Sequence, residues 1–197
     1  LTRRHPLHGR EKALATLTGA WRGAVTNTQT GVVVVLADAG LGKTRLAEEM
    51  MARVALEGGI TLKVRGVEAD RASPWSGLLG VGRGGLLEAR GIASAPAPAH
   101  AAFAAHITEW GDRYRGAGGV EPVPLPRAFT ELVRAASDEQ PVLLVADDSH
   151  HLDLESLQSL ASLPRDVPEA PILLLLTAEP DTPSETLDTL RSHFGRD

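Results

Sequence analysis

A lysine and a threonine stand directly behind a glycine in a short segment, residues 37–45, which we call the phosphate loop. The apolar run 31–35 before it is typical of a buried strand. After it, apolar residues recur at helical spacing, at Leu46, Met50 and Val54. A loop between a strand and a helix favours anion binding, because backbone N–H groups and the positive end of the helix dipole point at the anion. The Lys43 ammonium would then bind the β- and γ-phosphates of a nucleotide, and the Thr44 hydroxyl would bind Mg²⁺.

The phosphate loop departs from the usual pattern G-x-x-x-x-G-K-[ST] at its first position, where Ala37 replaces glycine. The Ala37 methyl group is tolerable only if this residue keeps a negative φ. Gly40 and Gly42 remain, and both allow the backbone to approach a phosphate closely. The alternative is a glycine-rich turn with a solvated lysine. The flanking strand and helix favour phosphate binding over that alternative.

Two adjacent carboxylates form the second candidate group. Asp147 and Asp148 follow the apolar run 141–146, which is typical of another buried strand. At the carboxyl edge of a parallel sheet this pair would face the phosphate loop. Asp147 would then hold Mg²⁺ together with Thr44, while Asp148 would orient or deprotonate an attacking water. The alternative is an ordinary polar turn, but the phosphate loop upstream favours a catalytic set of Lys43, Asp147 and Asp148.

The histidines indicate a metal site less strongly than Thr44 and Asp147 do. His5 and His8 are more typical of plain loop residues, and His100 and His106 lack a recognisable ligand spacing, which favours surface or core positions. Adjacent residues on a regular element cannot both face one site. His150 and His151 are therefore expected to be loop residues that line a nucleotide pocket.

The elements around these groups alternate between strands and helices, which predicts an α/β protein with a parallel sheet. Strands are predicted near 31–35, 60–66, 141–146 and 171–177. Helices are predicted from about residue 11 to Asn27, after the phosphate loop, from Pro126, from an Asp153 cap, and over 182–194.

Residues 67–125 give a weaker pattern, and we expect a helical and loop insertion there within a single domain that spans 1–197. Ser73 and Pro74 are typical of the start of a short helix that glycines from Gly80 onward would end. Residues 91–99 are expected to be a linker or loop, and 100–114 to be helical.

Composition excludes several classes of function. The net charge is −5, which argues against direct nucleic-acid binding by this stretch. The chain has no cysteine, so it has no disulfides or thiolate metal sites, and this fits a cytoplasmic protein. No apolar run approaches the length of a membrane span, and the first residues are not typical of a signal peptide.

With both motifs placed, the chain resembles the nucleotide-binding domain of STAND-class regulatory ATPases, and most of all the AAA-like ATPase domain of large ATP-binding LuxR-type transcriptional regulators. Four segments carry the resemblance: 7–11, 39–46, 142–153 and 172–180. It implies a three-layer P-loop NTPase fold whose mainly parallel sheet has five strands, with the strand ending at Thr177 inserted between the first strand and the Asp147 strand. The fifth strand would follow the last helix, so we expect a fragment of a larger protein with an open sheet edge beside 31–35.

The resemblance also implies a ligand set. ATP or ADP with Mg²⁺ would be the cofactor, and His8, Gly9 and Arg10 would lie near the adenine. The phosphate-loop residues that would bind the nucleotide are Ala39, Gly40, Leu41, Gly42, Lys43, Thr44 and Arg45. Such domains act as switches with slow hydrolysis. Their partners are other domains of the parent chain, which carry effector and DNA binding, and self-association can depend on the nucleotide.

Three residues depart from that family pattern: Ala37, Glu179 in place of an arginine, and His151 in place of a tryptophan. An arginine at position 179 would contact the γ-phosphate, whereas a glutamate would repel it. The first two departures weaken the case for efficient hydrolysis more than the case for nucleotide binding. Three functions therefore stay open: a nucleotide switch, an active P-loop ATPase or phosphotransferase, and a degenerate domain that serves as a protein-interaction scaffold.

Overall fold

Four parallel strands run through the part of the chain that the computed structural model describes, residues 10–115 and 119–180. They are β1 (Gly31–Leu36), β2 (Ile60–Arg65), β3 (Val142–Asp147) and β4 (Ile172–Ala178). The order in the sheet is β1-β4-β3-β2, and every neighbouring pair is parallel. The predicted insertion of the strand that carries Thr177 between the first strand and the Asp147 strand is therefore confirmed. Within the described ranges β1 pairs only with β4, so its other edge is open there.

Helices cover both faces of this sheet, which gives three layers. The helices are α1 (Glu11–Asn27), α2 (Lys43–Leu56), α3 (Ser76–Arg83), α4 (Ala97–Ala104), α5 (Thr108–Arg113), α6 (Leu125–Glu139) and α7 (Leu154–Asp166). α1 and α2 pack on one face, and the other helices pack on the opposite face. The predicted helix over 182–194 lies outside the described residues.

Strand periodicity decides which face each side chain joins. In β3, Leu144 and Ala146 join the core of α3 to α7, while Leu143 and Val145 join the core of α1 and α2. Successive side chains alternate in this way along a strand. Asp147 thus continues the row of Leu143 and Val145, which faces α1 and α2. The phosphate loop leads into α2, so Asp147 lies on the same face of the sheet as the helix that follows the loop.

The short helix predicted to start at Ser73 and Pro74 begins later and runs past Gly80, and of the predicted glycines it is Gly84 that follows its last residue. α3 begins at Ser76, after Trp75 in a left-handed conformation with φ 69°, and it continues through Gly80 and Gly82 to Arg83. A Cβ atom on Gly82 would lie 2.8 Å from both Phe103 and Ile107. The glycine allows close packing of α3 against the end of α4 and the residue Ile107 beyond it, and this requirement outweighs the poor helix propensity of glycine.

Residues 91–114 also differ from the prediction. The expected linker contains a short 3₁₀ turn, Ile92–Ser94, and the start of α4. The helix expected over 100–114 is instead two helices, because the buried Ile107 between α4 and α5 has an extended backbone. The turn brings Trp110 back to α4, where its indole Nε1 donates a hydrogen bond to His100 Nδ1 at 3.2 Å. His100 is therefore a core residue.

Asp153 caps α7 as predicted. Its carboxylate accepts a hydrogen bond from the backbone N–H of Ser156. No helix among residues 10–115 and 119–180 is both long enough and apolar enough to cross a membrane.

Candidate functional site

The phosphate loop connects β1 to α2 in the conformation that its glycines favour. Gly40 and Gly42 have φ values of 75° and 77°, which L side chains rarely adopt. Gly42 is the residue immediately before α2, so Lys43 is the first helical residue. Ala37 is not among the described residues with positive φ, which is the condition under which its methyl group is tolerated. The loop therefore leaves the N-terminal end of α2 open to the place where a phosphate would bind.

Lys43 lies inside the loop with only 5% of its surface exposed. Its Nζ donates hydrogen bonds to the carbonyl oxygens of Ala37 at 2.8 Å and Asp38 at 3.0 Å. The Glu179 carboxylate, directly after β4, lies 3.5 Å from the same nitrogen. The ammonium is thus held at the loop by three oxygen atoms, where it would meet a phosphate bound there.

Thr44 and Asp147 come together at the start of α2. Thr44 Oγ1 donates a hydrogen bond to Asp147 Oδ1 at 3.2 Å, and Thr177 Oγ1 donates a second one to the same oxygen at 2.7 Å. Thr177 also accepts a hydrogen bond from the Asp148 backbone N–H at 3.0 Å. These contacts fix the orientation of a carboxylate that is completely buried.

The chemistry of this pair fits Mg²⁺. Hydroxyl and carboxylate oxygens are the ligands that this ion prefers. Asp147 Oδ2 is buried and accepts no hydrogen bond among the described residues, although the Lys63 ammonium forms an ion pair with it at 3.3 Å. The ranges 10–115 and 119–180 contain no cluster of three or more metal-binding side chains. Thr44 and Asp147 would therefore hold the ion only together with phosphate oxygens and water, as is usual for magnesium that arrives with a nucleotide.

Asp148, which the sequence analysis expects to face the phosphate loop, forms an ion pair with Arg65 at the carboxyl edge of the sheet. It adopts a left-handed conformation with φ 50°, and its carboxylate contacts the Arg65 guanidinium at 3.0 Å. Arg65 ends β2, which lies on the side of β3 away from β1. The positive φ after the strand turns Asp148 towards this partner. A role for Asp148 in orienting water stays a prediction.

Arg10 lies next to the phosphate loop. Its guanidinium carbon would be 3.6 Å from a Cβ atom built on Gly42. Arg10 immediately precedes α1, so the segment that the resemblance links to adenine reaches the loop. His8 and Gly9 lie outside the described residues. The remaining predicted contacts Ala39, Gly40, Leu41 and Arg45 are exposed on the loop and the first turn of α2.

His150 is buried in a 3₁₀ turn, Ser149–His151, that follows β3. Burial lowers the pKa of His150 and the neighbouring His151 lowers it further, while Glu179 and Asp148 act in the opposite direction. Its electrostatic interaction with Lys43 and Glu179 indicates a position near the phosphate loop. A role for His150 in lining a nucleotide pocket stays a prediction.

Sequence reasoning missed Lys63 as a component of the site. Lys63 Nζ lies 3.3 Å from Asp147 Oδ2, and a second carboxylate, Glu48 on α2, is 3.9 Å away. The alternating pattern of β2 did indicate that Lys63 faces away from Leu62 and Val64. Only the pairing of β2 with β3 brings it to Asp147.

Comparisons with known proteins identify relatives of this chain. A curated relative, the uncharacterized protein R02095 of Rhizobium meliloti (strain 1021), is 29% identical over 204 residues, covering 93% of this chain and 19% of its own length. The chain thus spans about a fifth of that relative. Among solved structures, the ORC1 protein of Aeropyrum pernix, in complex with DNA, matches 94% of this chain and 43% of its own with a TM-score of 0.52 and 16% identity. At that identity the likeness shows the fold alone.

A family model described as the AAA ATPase domain matches residues 6–176. This range contains β1 to β3, the phosphate loop, Lys63 and Asp147. The chain therefore belongs to the AAA ATPase domain family and has its α/β P-loop fold.

Proposed function

We propose that residues 1–197 form one nucleotide-binding domain of a larger regulatory ATPase, and that this domain is a switch that binds ATP or ADP with Mg²⁺. The observation that carries the proposal is the meeting of Lys43, Thr44 and Asp147 around the start of α2. Lys43 supplies a positive charge at the loop, and Thr44 and Asp147 supply oxygens for the ion. The ion would offset phosphate charge when bound, while the loop backbone and Lys43 orient the phosphates.

Hydrolysis in this proposal is slow or absent. A water-orienting carboxylate would be needed close to the phosphates, but Asp148 is engaged by Arg65. The residue after β4 is Glu179, a carboxylate beside Lys43, whereas catalysis of phosphoryl transfer favours positive charge there. Both features support a switch over the alternative of an active ATPase or phosphotransferase.

The regulatory setting of the proposal comes from the resemblance to LuxR-type regulators. In that setting the partners are the other domains of the parent chain, and nucleotide could control self-association. The curated relative, of which this chain spans 19%, is consistent with additional domains in such a parent. The domain itself would not bind nucleic acid directly, because the chain carries a net charge of −5.

Isothermal titration of ATP and of ADP, each with Mg²⁺, into the wild type and the Lys43→Ala variant tests the proposal. We expect micromolar binding by the wild type that is lost in the variant, because the lysine is the cation at the loop. Lys12→Ala on the exposed face of α1 is the matched control and should bind as the wild type does. Equal affinity of the wild type and Lys43→Ala would instead support the degenerate scaffold.

A steady-state assay of phosphate release separates the switch from the active enzyme. We expect less than about one turnover per minute, far below the roughly 1–100 per second of typical phosphotransferases. Turnover in that higher range by the wild type, abolished in Lys43→Ala, would contradict the switch and support the active enzyme.

A further inference from the structure

The Glu179 carboxylate lies at the phosphate loop because of the strand order. β4 is placed between β1, which leads into the loop, and β3, which ends at Asp147. Residues that follow neighbouring parallel strands meet at the same edge of a sheet. Glu179 comes directly after β4, and its Oε1 lies 3.5 Å from Lys43 Nζ.

Within residues 10–115 and 119–180, the ion pair that Glu179 forms is with Lys43. Asp147 is next to Lys63, and Asp148 is next to Arg65, so each of these carboxylates has a countercharge of its own. The Lys43 side chain is 5% exposed and that of Glu179 is 33% exposed, so the ion pair is only partly accessible to water. A phosphate that contacts Lys43 must therefore share the ammonium with a carboxylate.

A nucleoside triphosphate and a diphosphate differ in this contact. The Lys of such a loop contacts the β- and γ-phosphates, so the γ-phosphate brings its extra negative charge towards the Glu179 carboxylate. Like charges about 4 Å apart in a partly shielded site repel strongly enough to change an affinity by about tenfold. A diphosphate has no γ-phosphate, so the Glu179 carboxylate repels it less.

We infer that Glu179 is a specificity-determining residue that makes this site prefer nucleoside diphosphates over triphosphates. The inference rests on the proposed function, since it concerns the same nucleotide site. It adds to that function a preferred class of ligand, the nucleoside diphosphates. It attributes the preference to the Glu179 carboxylate, which follows β4 and contacts Lys43.

The experiment is isothermal titration of ADP and of ATP, each with Mg²⁺, into the wild type, Glu179→Gln and Glu169→Gln. Glutamine keeps the shape of Glu179 and removes its charge. Glu169 is an exposed carboxylate that precedes β4, at the opposite end of the same strand, so its variant makes the same change in net charge away from the loop.

We expect the wild type to bind ADP about tenfold more tightly than ATP. Glu179→Gln should reduce that ratio to about threefold or less, mainly through tighter ATP binding, and Glu169→Gln should keep the wild-type ratio. Comparable affinities of the wild type for ADP and ATP would overturn the inference without any variant. An unchanged ratio in folded Glu179→Gln would overturn it as well.

The two proposals fail in different ways. If neither nucleotide binds to any of the three proteins, the proposed function is overturned and the preference with it. If both nucleotides bind but Glu179 does not affect their ratio, only the inference about Glu179 is overturned. Thermal unfolding of Glu179→Gln, monitored by circular dichroism, verifies that the variant is folded before the ratio is compared.

Discussion

Lys63 on β2 and Asp147 at the end of β3 form an ion pair across neighbouring strands, with Nζ 3.3 Å from Oδ2. The register pairs Lys63 with Val145, so Asp147 lies two residues further along the same face of β3. The Asp147 side chain is fully buried, and a buried carboxylate without a countercharge is costly. Lys63 therefore stabilises the carboxylate that the proposed magnesium site depends on.

Replacing Lys63 by methionine should destabilise the fold. Methionine keeps most of the length of the side chain but leaves Asp147 without its cation. We expect the free energy of unfolding to fall by about 1–3 kcal/mol, less than for a fully buried pair because Lys63 is partly exposed. Urea denaturation measures this fall in the free energy of unfolding. The control Lys12→Met, at an exposed position on α1, should change stability by no more than about 0.5 kcal/mol. Equal stability of Lys63→Met and the wild type would contradict a stabilising role for the pair.

Replacing Thr177 by valine should also lower stability, by about 1–3 kcal/mol. The valine keeps the shape of the side chain but cannot donate to Asp147 or accept from the Asp148 N–H, and both groups lie close to the buried end of β3. Thr130→Val is the matched control, because that hydroxyl donates only to the Pro126 carbonyl within its own helix. Chemical denaturation measures the free energy of unfolding of both variants, and we expect a larger loss for Thr177→Val. An equally large loss of stability in Thr130→Val would argue against a special role for Thr177.

Asp153 should make the stability of the fold depend on pH. Burial alone would raise its pKa, but hydrogen bonds from the backbone N–H groups of Gly77, Ser156 and Trp75 outweigh burial and hold the pKa of Asp153 below its ordinary value. A depressed pKa contributes stability above the unfolded-state pKa, and this stability is lost as pH falls through the folded-state pKa.

The Asp153→Asn variant tests this pH dependence. We expect it to be less stable than the wild type by about 1–3 kcal/mol at neutral pH, because the hydrogen bonds lose their charged acceptor. The difference should narrow as pH falls below about 4 and the wild-type carboxylate becomes protonated. Urea denaturation at several pH values measures the difference. A gap that stays constant down to about pH 2.5 would show that the charge of Asp153 is not the cause.

Adding a methyl group to a glycine should have opposite effects in two helices. In α3, Gly82→Ala would place Cβ 2.8 Å from Phe103 and Ile107, so we expect a loss of about 1–3 kcal/mol from overpacking. In α1, a Cβ on Gly23 meets nothing within 4 Å, so Gly23→Ala should be neutral or stabilise by up to about 1 kcal/mol through helix propensity. Thermal unfolding compares the two variants. Stabilisation by Gly82→Ala would mean that α3 and α4 pack less closely than the structure shows.

The sequence by itself determined the features that depend on local order. The β1 strand, the phosphate loop and α2 are contiguous, and Lys43 bonds to carbonyls only five and six residues before it. The Asp153 cap likewise acts on a residue three positions later. Hydrophobic periodicity and short-range hydrogen bonds encode such elements, so the four strands, α2 and the position of Lys43 at its start could be predicted without a structure.

Only the tertiary structure decided which side chains surround the carboxylates. Asp148 bonds to Arg65, which is 83 residues away, and Lys43 is linked to Glu179 over 136 residues. Periodicity indicates that a residue lies on a strand face, but it does not say which strand is the neighbour or in what register it pairs. The same limit explains Gly82, whose neighbours Phe103 and Ile107 are more than twenty residues away in sequence and therefore do not show in a local pattern. These partners depend on how all the strands and helices pack together, and therefore only the folded chain shows them.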